Sequence, residues 1–424
     1  MIQNIVITHG YSDSNKGDLA ITQATVEALV KRFPSAEITL MSTFRIKDKD
    51  FWYHNRKMKE NGIAIIQGVM PTPYMGGNSS FILNILAVLR MFKDYLQLQI
   101  SLALPFIGNV LGGESNVAIK AFKKADLVVI KGGQFIYNDK EDLRGNIFLW
   151  RTLKPIRVAA KLQNKIVILG QSIGGFASEK SEKYAMKHLE LCDKIIVREQ
   201  LSYDLLRSYG LNNIEKKPDM AFNINSKPIN NFFALDKEFL GITVVNWAFP
   251  SSEDPNKSMQ NYVENLIFGI KRAYIEFNLF PVFIPQVTVK HHGKSDLDLI
   301  RIIVKKLDEI NIPSQTITED YNAAEMVSVY SKCKLLIGTR LHSCILAAVA
   351  GTPIIAIKYQ GYKTQGVMEM LENGKYVHNI YDLIGQELFS HIRDINGNHK
   401  KIRDGIIIKV NSMKKDIEKV INSL

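Results

Sequence analysis

Cysteine, acidic residues and long apolar runs are all scarce in this sequence. Only Cys192, Cys333 and Cys344 occur among 424 residues, and no two of them form a C-x-x-C pair. A disulfide scaffold and a cysteine-based zinc site are therefore excluded, and we expect the reducing environment of a cytosol. The first eight residues lack the basic segment and cleavage site of a signal peptide, and they predict a buried strand instead.

The stretch that most resembles a membrane segment, residues 95–113, carries no charge but contains Gln97, Gln99, Ser101 and Asn109. A membrane-spanning helix needs about 20 predominantly apolar residues, so this stretch is not predicted to cross a bilayer. Two interpretations of residues 81–113 stay open: a helix pair of the core with a connecting loop, which we favour, and an amphipathic surface that docks on a membrane.

The shortage of acidic residues leaves a formal net charge of +12, from 54 Lys and Arg against 42 Asp and Glu. Such a surplus suits nucleic acid, an anionic membrane surface or an anionic small substrate, and charge alone does not choose among them. No nucleic-acid motif and no basic–aromatic stripe is present, so we expect no nucleic-acid partner.

What the sequence does contain is a regular alternation of short β-branched runs with longer helical stretches, which is typical of parallel α/β proteins. Several runs are apolar throughout, as expected for strands covered by helices on both faces. The predicted strands are residues 4–8, 37–41, 63–66, 126–130, 165–169 and 194–197, then 240–246, 280–284, 314–317, 334–337 and 353–357.

The alternation is interrupted at residues 223–236, which hold two asparagine-rich clusters and Pro228 and predict an interdomain linker. We therefore expect α/β architecture with two Rossmann-like domains, residues 1–225 and 237–424, and a cleft between them. An insertion at about 72–113 belongs to the first domain. A basic amphipathic helix, residues 400–424, closes the second.

Ligands of such sheets bind beyond the carboxyl ends of the strands, so the turns there are the candidate sites. The most informative turn is Gly338-Thr339-Arg340-Leu341-His342-Ser343. Arg340 offers a fork for carboxylate or phosphate, His342 can carry a proton near neutral pH, and the following helix adds free N–H groups. The turn predicts a site for an acidic substrate, with a surface arginine and a capping histidine as the alternative.

Two further strand ends combine glycines with polar side chains. Gly132-Gly133-Gln134 follows one apolar run, and Gly170-Gln171-Ser172 follows the next. Glycines there let a ligand approach the backbone, although each turn alone is weak evidence. Arg198 ends another strand, and Asp219 closes the first half, where it can face the cleft.

The first turn, residues 8–20, lacks the G-x-G-x-x-G spacing of a dinucleotide fingerprint and the ending of a P-loop, so NAD and ATP are poor candidates. Its Asp18 is equally well interpreted as a helix N-cap or as a ligand-binding residue. His291 and His292 have no carboxylate or cysteine at ligand spacing, and we interpret them as exposed loop residues. No metal site is predicted.

Taken together, the turns resemble the polysaccharide pyruvyl transferase family. The matching pieces are Asn15-Lys16-Gly17-Asp18-Leu19-Ala20-Ile21, Gly132-Gly133, Gly170-Gln171-Ser172-Ile173-Gly174, Val197-Arg198-Glu199-Gln200-Leu201-Ser202, Pro218-Asp219-Met220-Ala221-Phe222 and Gly338-Thr339-Arg340-Leu341-His342-Ser343. Their order spans about residues 4–372. The insertion at 72–113 has no counterpart in this pattern. The resemblance therefore predicts the identity of the donor better than that of the acceptor.

The resemblance implies a glycosyltransferase-B-like fold and transfer of pyruvyl from phosphoenolpyruvate onto two sugar hydroxyls, as a cyclic ketal, with release of phosphate. It implies catalytic roles for Arg198, Arg340 and His342 and donor binding by Gly338, Leu341 and Ser343. The acceptor or cleft residues implied are Asn15, Asp18, Gly132, Gly133, Gln134, Gln171, Ser172 and Asp219. We expect His342 to be the general acid, and no metal or cofactor is expected.

The expected partners are phosphoenolpyruvate and a glycan or lipid-linked oligosaccharide. The expected location is the cytoplasm, with peripheral contact to the anionic inner face of the membrane. Two other functions stay open. A nucleotide-sugar-dependent glycosyltransferase of the GT-B type would use the same glycine-rich turns for a diphosphate, and a basic non-catalytic scaffold would bind an anionic membrane or nucleic acid in a salt-sensitive way.

Overall fold

The computed structural model describes residues 2–73, 81–229, 237–288 and 295–424. The chain divides into two compact units. The first unit comprises Met1–Asp13, Ile21–Met220 and Asp416–Leu424, and the second comprises Ser14–Ala20 and Ala221–Lys415. Compared with the predicted division at 225 and 237, the end of the last helix belongs to the first unit and part of the first turn belongs to the second.

The first unit is built on a sheet in which the described strands all pair in parallel, in the order β3-β2-β1-β4-β6-β7-β8, with β5 beside β6. The strands are β1 (Asn4–Gly10), β2 (Glu37–Ser42), β3 (Ala64–Gln67), β4 (Leu127–Ile130), β5 (Gly133–Asn138), β6 (Lys165–Phe176), β7 (Lys194–Val197) and β8 (Ile214–Lys216). All four residues of β4 are buried, because helices cover both faces of the sheet.

The helices of this part of the chain are α1 (Lys16–Arg32), α2 (Phe51–Glu60), α3 (Phe81–Ala103), α4 (Pro105–Leu111), α5 (Gly113–Lys124), α6 (Leu143–Lys161), α7 (Glu179–Leu189) and α8 (Gln200–Ser208). Side chains cap several of them. Asp142 accepts a hydrogen bond from the Gly145 N–H at the start of α6, and Ser178 accepts one from Ser181 N–H at the start of α7.

The second unit has a parallel sheet in the order β11-β10-β9-β12-β13-β14. Its strands are β9 (Phe239–Thr243), β10 (Phe280–Phe283), β11 (Gln315–Thr316), β12 (Cys333–Gly338), β13 (Ile354–Lys358) and β14 (Val377–Asn379). Its helices are α9 (Pro255–Phe277), α10 (Asp296–Asp308), α11 (Ala323–Ser331), α12 (Leu341–Val349), α13 (Lys363–Met370), α14 (Gly385–Gly397) and α15 (His399–Asn422), which crosses into the first unit.

Numbered within its own sheet, this strand order is 3-2-1-4-5-6, the doubly wound Rossmann arrangement. The first sheet follows the same order apart from the added β5 and β8. The chain reverses direction across each sheet between its first and fourth strands, which are β9 and β12 in the second unit and β1 and β4 in the first. Ligands of doubly wound sheets bind beyond the carboxyl ends of strands at this switch point.

The predicted strands all exist, and their bounds differ from the prediction by a few residues. The exception is β6, which runs on to Phe176, so Gln171 and Ser172 lie within a strand and not in a turn. Gly133 likewise begins β5, which places Gln134 on an exposed strand position. Strands β5, β8 and β14 were not predicted. β8 and β14 have only three residues each, and β5 begins at Gly133 in a glycine-containing segment that resembles a turn.

Residues 81–113 were interpreted as a helix pair of the core, and this interpretation is wrong for the face of the pair that is exposed. Two helices form, but many of their large apolar side chains are exposed. The exposed ones are Ile82, Ile85, Leu86, Val88, Leu89, Phe92, Leu96, Leu104, Phe106, Ile107, Val110 and Leu111. No helix in the described ranges combines the length and the hydropathy needed to cross a membrane.

Candidate active site

The switch point of the second sheet carries the turn that contains Arg340 and His342. Strand β12 ends at Gly338, and α12 begins at Leu341 with Arg340 as its N-cap residue. Thr339, between them, is fully buried: its N–H donates to the Thr243 hydroxyl (3.1 Å) and its own hydroxyl pairs with Tyr262 (3.0 Å). The turn is therefore held to the end of neighbouring strand β9.

Two of the predicted donor-binding residues shape this turn. A Cβ on Gly338 would lie 2.6 Å from the sulfur of Cys344, so only glycine fits there. Ser343 is fully buried, and its hydroxyl donates to the Arg340 carbonyl (2.6 Å) and pairs with Thr243 (2.8 Å). The backbone N–H of Leu341 donates to no group in the described ranges, which leaves a first-turn amide of α12 available to an anion.

Arg340 is held by a carboxylate that the sequence did not reveal as a partner. Its Nη2 donates to Asp296 Oδ1 at 2.6 Å, and the Asp296 side chain is 1% exposed against 21% for Arg340. Asp296 also accepts from the N–H groups of Gln286 and Val287. Burial opposes the charge of Arg340, but Asp296 and Tyr359 favour it, and the net result is a raised pKa.

One donor of Arg340 is still unused. Its Nε atom is buried and has no hydrogen-bond partner within the described part of the chain. A guanidinium that is oriented by Asp296 and keeps an unpaired N–H is prepared to bind an anionic ligand, because leaving such a donor permanently unsatisfied is costly.

The first turn of the chain lies against His342. A Cβ on Gly17 would lie 2.4 Å from the imidazole Nδ1, so the histidine packs directly on the backbone of α1. Asn15 caps this helix: its side-chain oxygen accepts from the N–H groups of Gly17 and Asp18, and its amide donates to Asp18 (2.8 Å). The interpretation of Asp18 as the N-cap is wrong, because α1 begins at Lys16 and Asp18 lies in its first turn.

Lys16 of this turn is 6% exposed, and its ammonium donates to Asp320 (2.6 Å) and to the Tyr321 carbonyl (2.8 Å). Asn15, Asp18, Arg340, Leu341, His342 and Ser343 thus all belong to the second unit, although the sequence predicted the first two in the first domain. Long-range contacts decide this placement, and no local pattern in the sequence indicates it.

The first unit brings together Gln171, Ser172, Arg198 and Asp219. Arg198 follows β7, donates from Nε to the Ser172 hydroxyl at 2.8 Å and forms an ion pair with Asp219. The two charged side chains are 7% and 2% exposed. The Arg198 N–H also bonds to the Gln171 carbonyl at 3.3 Å. Arg198 is therefore a buried, paired arginine.

Gln171 is the exceptional residue of this cluster. It is fully buried, and neither its amide nitrogen nor its amide oxygen has a hydrogen-bond partner in the described structure. Buried amides are nearly always satisfied, so this one is a candidate for ligand binding.

The glycines beside Gln171 serve the fold. A Cβ on Gly132 would lie 2.6 Å and 2.8 Å from the carbonyl oxygens of Leu169 and Gly170. For Gly132, the prediction that glycine is needed to admit a ligand is therefore wrong. Glycine is needed there because two strand ends pack closely. His291 and His292 lie outside the described residues.

The comparisons with known proteins agree with this fold. The profile of the polysaccharide pyruvyl transferase family matches residues 15–361, which is most of the chain. The amylovoran biosynthesis protein AmsJ of Erwinia amylovora is 22% identical over 95% of this chain and 94% of its own length.

Two solved structures show the same architecture. The UDP-N-acetylglucosamine 2-epimerase assigned to Listeria monocytogenes has a TM-score of 0.61 at 11% identity, covering 100% of this chain and 98% of its own. The UDP-GlcNAc 2-epimerase of Neisseria meningitidis, solved with UDP-GlcNAc, has a TM-score of 0.56 at 10% identity, covering 100% and 99%. The fold is α/β of the glycosyltransferase-B type, and the chain belongs to the polysaccharide pyruvyl transferase family.

Proposed function

We propose that this transferase moves the pyruvyl group of phosphoenolpyruvate onto a sugar of a polysaccharide or its precursor, forming a cyclic ketal and releasing phosphate. The single observation that carries the proposal is the turn after β12. It sets an oriented arginine with an unused donor, a free helix amide and a histidine at the switch point of one sheet.

Phosphoenolpyruvate suits this turn because it carries a carboxylate and a phosphate close together. Arg340 would hold one of these anions through Nε, and the Leu341 N–H would support it with the partial positive charge of the α12 N-terminus. Arg198 is proposed as a further anion-binding residue, although Ser172 and Asp219 already occupy two of its donors.

The chemistry needs a proton on the methylene carbon of phosphoenolpyruvate. We assign the proton to His342, whose imidazole is positioned by Gly17. Protonation converts the methylene to a methyl group and leaves an oxocarbenium-like carbon. A sugar hydroxyl attacks this carbon and returns a proton to the His342 imidazole. Phosphate then departs with its bonding electron pair, and a second hydroxyl attacks the same carbon and gives its proton to the departing phosphate, which closes the ketal. The anion-holding groups stabilise the departing phosphate.

The direct test is phosphate release from phosphoenolpyruvate against a panel of candidate glycans, with mass spectrometry for the added pyruvyl group. The variant His342→Ala is expected to lower kcat by about 10²–10⁴-fold with KM for phosphoenolpyruvate little changed, the loss typical of a missing general acid. His399→Ala is the matched control, since among the described residues His399 bonds to the Lys334 carbonyl and to no residue of the candidate site. Full phosphate release by His342→Ala would refute the acid assignment.

A nucleotide-sugar-dependent glycosyltransferase is the second candidate. It is favoured by the fold shared with a neighbour whose crystal structure contains UDP-GlcNAc. Titration with UDP-sugars separates the two functions: tight binding of a sugar nucleotide, with no response to phosphoenolpyruvate in any acceptor mixture, would establish the glycosyltransferase instead.

We further propose that the reaction takes place in the cytoplasm, with the protein on the anionic inner face of the membrane, where lipid-linked glycans are exposed. The support is the exposed apolar surface of α3 and α4 (the α3–α4 face), on which Phe106 is 86% exposed and Val110 79%. Isolated apolar side chains are common on surfaces, but a contiguous group of this size marks an interaction site.

Charge complementarity favours an anionic lipid bilayer as the occupant of the α3–α4 face. Lys93, Lys120, Lys123 and Lys124 are exposed on α3 and on the neighbouring helix α5, while Asp94 is buried in an ion pair with Arg45. Apolar side chains with flanking lysines match an interface in which acyl chains lie below anionic headgroups.

Sedimentation with vesicles tests this placement. We expect binding to vesicles of anionic lipid, weaker binding at high salt and little binding to zwitterionic vesicles. Phe106→Asp should abolish sedimentation, while Ile408→Asp, at an apolar residue 66% exposed on α15, should leave it intact. A concentration-dependent dimer without vesicle binding would overturn the proposal and assign the α3–α4 face to a second copy of the chain.

A further inference from the structure

The carboxyl edge of the first sheet contains a cavity of about 380 Å³, including its opening, beyond the ends of β1 and β2. Thr8 and His9 at the end of β1, Ser42 and Thr43 after β2, and Arg151 of α6 line it together with apolar residues such as Met70. All of these residues belong to the first unit. None of them belongs to the motifs that carry the family resemblance.

Arg151 is the cation of this cavity, and no hydrogen bond or ion pair engages its side chain anywhere in the described ranges. Burial, and then the nearby charge of Arg45, lower its pKa to about 10, so the guanidinium is still charged at neutral pH. Arg45 is itself neutralised by Asp94. Arg151 is therefore a half-buried positive charge without a compensating carboxylate, which is costly unless a ligand supplies the anion.

His9 fixes the position of Arg151 without adding charge. Burial lowers the pKa of His9, the hydrogen bond to the Thr152 backbone opposes this, and the charges of Lys131 and Arg151 add to the lowering, so that the net pKa is about 3. The neutral ring bonds through Nε2 to the Thr152 carbonyl (2.9 Å), so Nε2 carries the proton and Nδ1 accepts from the Thr8 hydroxyl (2.7 Å). This bond holds α6 beside β1 at the residue next to Arg151.

The strained backbone of His9 supports a functional role for the cavity that it lines. Its φ is +64°, in the left-handed region, and its ring stacks on Phe135 with centroids 4.2 Å apart. Non-glycine residues with this backbone conformation cluster at ligand sites, where the surrounding structure enforces them.

The cavity also offers groups for hydroxyl recognition. Pro155 lies inside α6 and has no N–H, so the carbonyl of Arg151 lacks its helical donor and can accept from a hydroxyl. The Ser42 hydroxyl accepts from the Phe44 N–H at 3.2 Å, and its own hydrogen has no acceptor in the described structure. A free cation, a free acceptor and a free donor suit an anionic sugar derivative better than a simple inorganic ion.

We propose that this cavity binds the oxyanion of the acceptor, with Arg151 as the anion-binding residue and His9 as a positioning residue. The oxyanion is either the carboxylate of an acidic sugar or the phosphate through which a glycan is activated, since both accept the same charge-assisted hydrogen bonds. The assignment of the bound oxyanion to the acceptor rests on the proposed transferase function. The proposal that the cavity binds an oxyanion rests only on the residues that line it.

Calorimetric titration of the full chain with glucuronate, inorganic pyrophosphate and neutral glucose tests the site without requiring turnover. We expect glucuronate or pyrophosphate to bind and glucose to bind far more weakly; whichever anion binds more tightly identifies the source. Arg151→Gln should weaken binding of that anion about 10- to 100-fold. Arg144→Gln, at an exposed position of the same helix, should leave it unchanged.

Two further measurements complete the test. Arg151→Gln should melt at the same or a higher temperature than the parent, because it removes an uncompensated charge; a lower melting temperature would show a structural arginine and overturn the site. Phosphoenolpyruvate should not displace the bound anion. Displacement, or equal weakening by Arg144→Gln, would also overturn it. If no glycan elicits phosphate release but Arg151-dependent binding persists, only the transferase proposal fails.

Discussion

Two arginines lie at comparable strand ends, Arg340 after β12 and Arg198 after β7, and each is paired with a buried aspartate. Arg340 is 21% exposed, keeps an unpaired Nε and sits at the switch point of its sheet. Arg198 is 7% exposed, bonds through Nε to Ser172, and follows a strand two positions away from the switch point. The same residue type in the same local context is thus open to a ligand in one unit and largely used by the fold in the other.

The largest expected effect is a loss of stability at the buried pair of Arg198 and Asp219. Asp219→Asn leaves Arg198 charged and buried without a counterion, which should lower the free energy of unfolding by about 3–5 kcal/mol. Asp296→Asn should cost less, since Arg340 retains solvent contact. Urea unfolding of both variants checks this. An equal or larger loss in Asp296→Asn would contradict the distinction between a closed and an open arginine.

The next largest effect is a loss of activity at the more exposed pair of Arg340 and Asp296. Arg340→Lys keeps the charge but loses the fork, so kcat/KM for phosphoenolpyruvate should fall about 10²–10³-fold, the cost typical of a lost anion-stabilising donor. Arg198→Lys should reduce it less, because that side chain mainly holds Ser172 and Asp219. Steady-state phosphate release measures both. If Arg198→Lys lost more activity while melting like the parent, the comparison would be reversed.

A smaller effect is expected where the first turn meets His342. Gly17→Ala places a methyl group 2.4 Å from the imidazole, so the ring must move, and the misplaced proton donor should lower kcat roughly 10- to 100-fold. Gly405→Ala in α15 is the control, because a Cβ there meets nothing within 4 Å. Unchanged kcat in Gly17→Ala would show that the position of His342 is not critical.

The smallest effect is a pH dependence of the first unit. The folded pKa of His9, about 3, lies below the ordinary 6.5, so the unfolded chain takes up a proton that the folded chain does not. This contribution to stability is therefore fully present well above pH 6.5 and is lost as the pH falls, by about 1 kcal/mol between pH 6.5 and 5.5 for this one group. His9→Asn, which tolerates the positive φ, should lose that part of the slope in unfolding curves at both pH values. An identical slope would exclude His9 as its source.

Most of the architecture was predictable because strand and helix periodicity is local. Strand β7 matches its predicted bounds, residues 194–197, and the fold class is confirmed by the two parallel sheets. Arg340 and His342 were found from a turn of six residues. The extended β6 and short β5 were missed, because glycine-rich segments resemble turns until a neighbouring strand pairs with them.

The partner residues were not predictable. Asp296 lies 44 positions from Arg340, and Arg151 lies far along the chain from His9. The unpaired amide of Gln171 is visible only in three dimensions. The α3–α4 face could not be predicted for the same reason. The apolar composition indicated a core, but the exposure of these side chains depends on how distant elements pack.

The amino-acid sequence alone determined two doubly wound halves, the family resemblance and the turns that hold the candidate catalytic residues, because periodicity and short motifs act over a few neighbouring residues. Only the tertiary structure decided which of the two paired arginines is buried with its Nε used by the fold, which one keeps a donor for a ligand, and which apolar side chains are exposed. Those properties depend on charges and side chains brought together from distant parts of the chain, and the free energy of a buried charge depends on its neighbours in space.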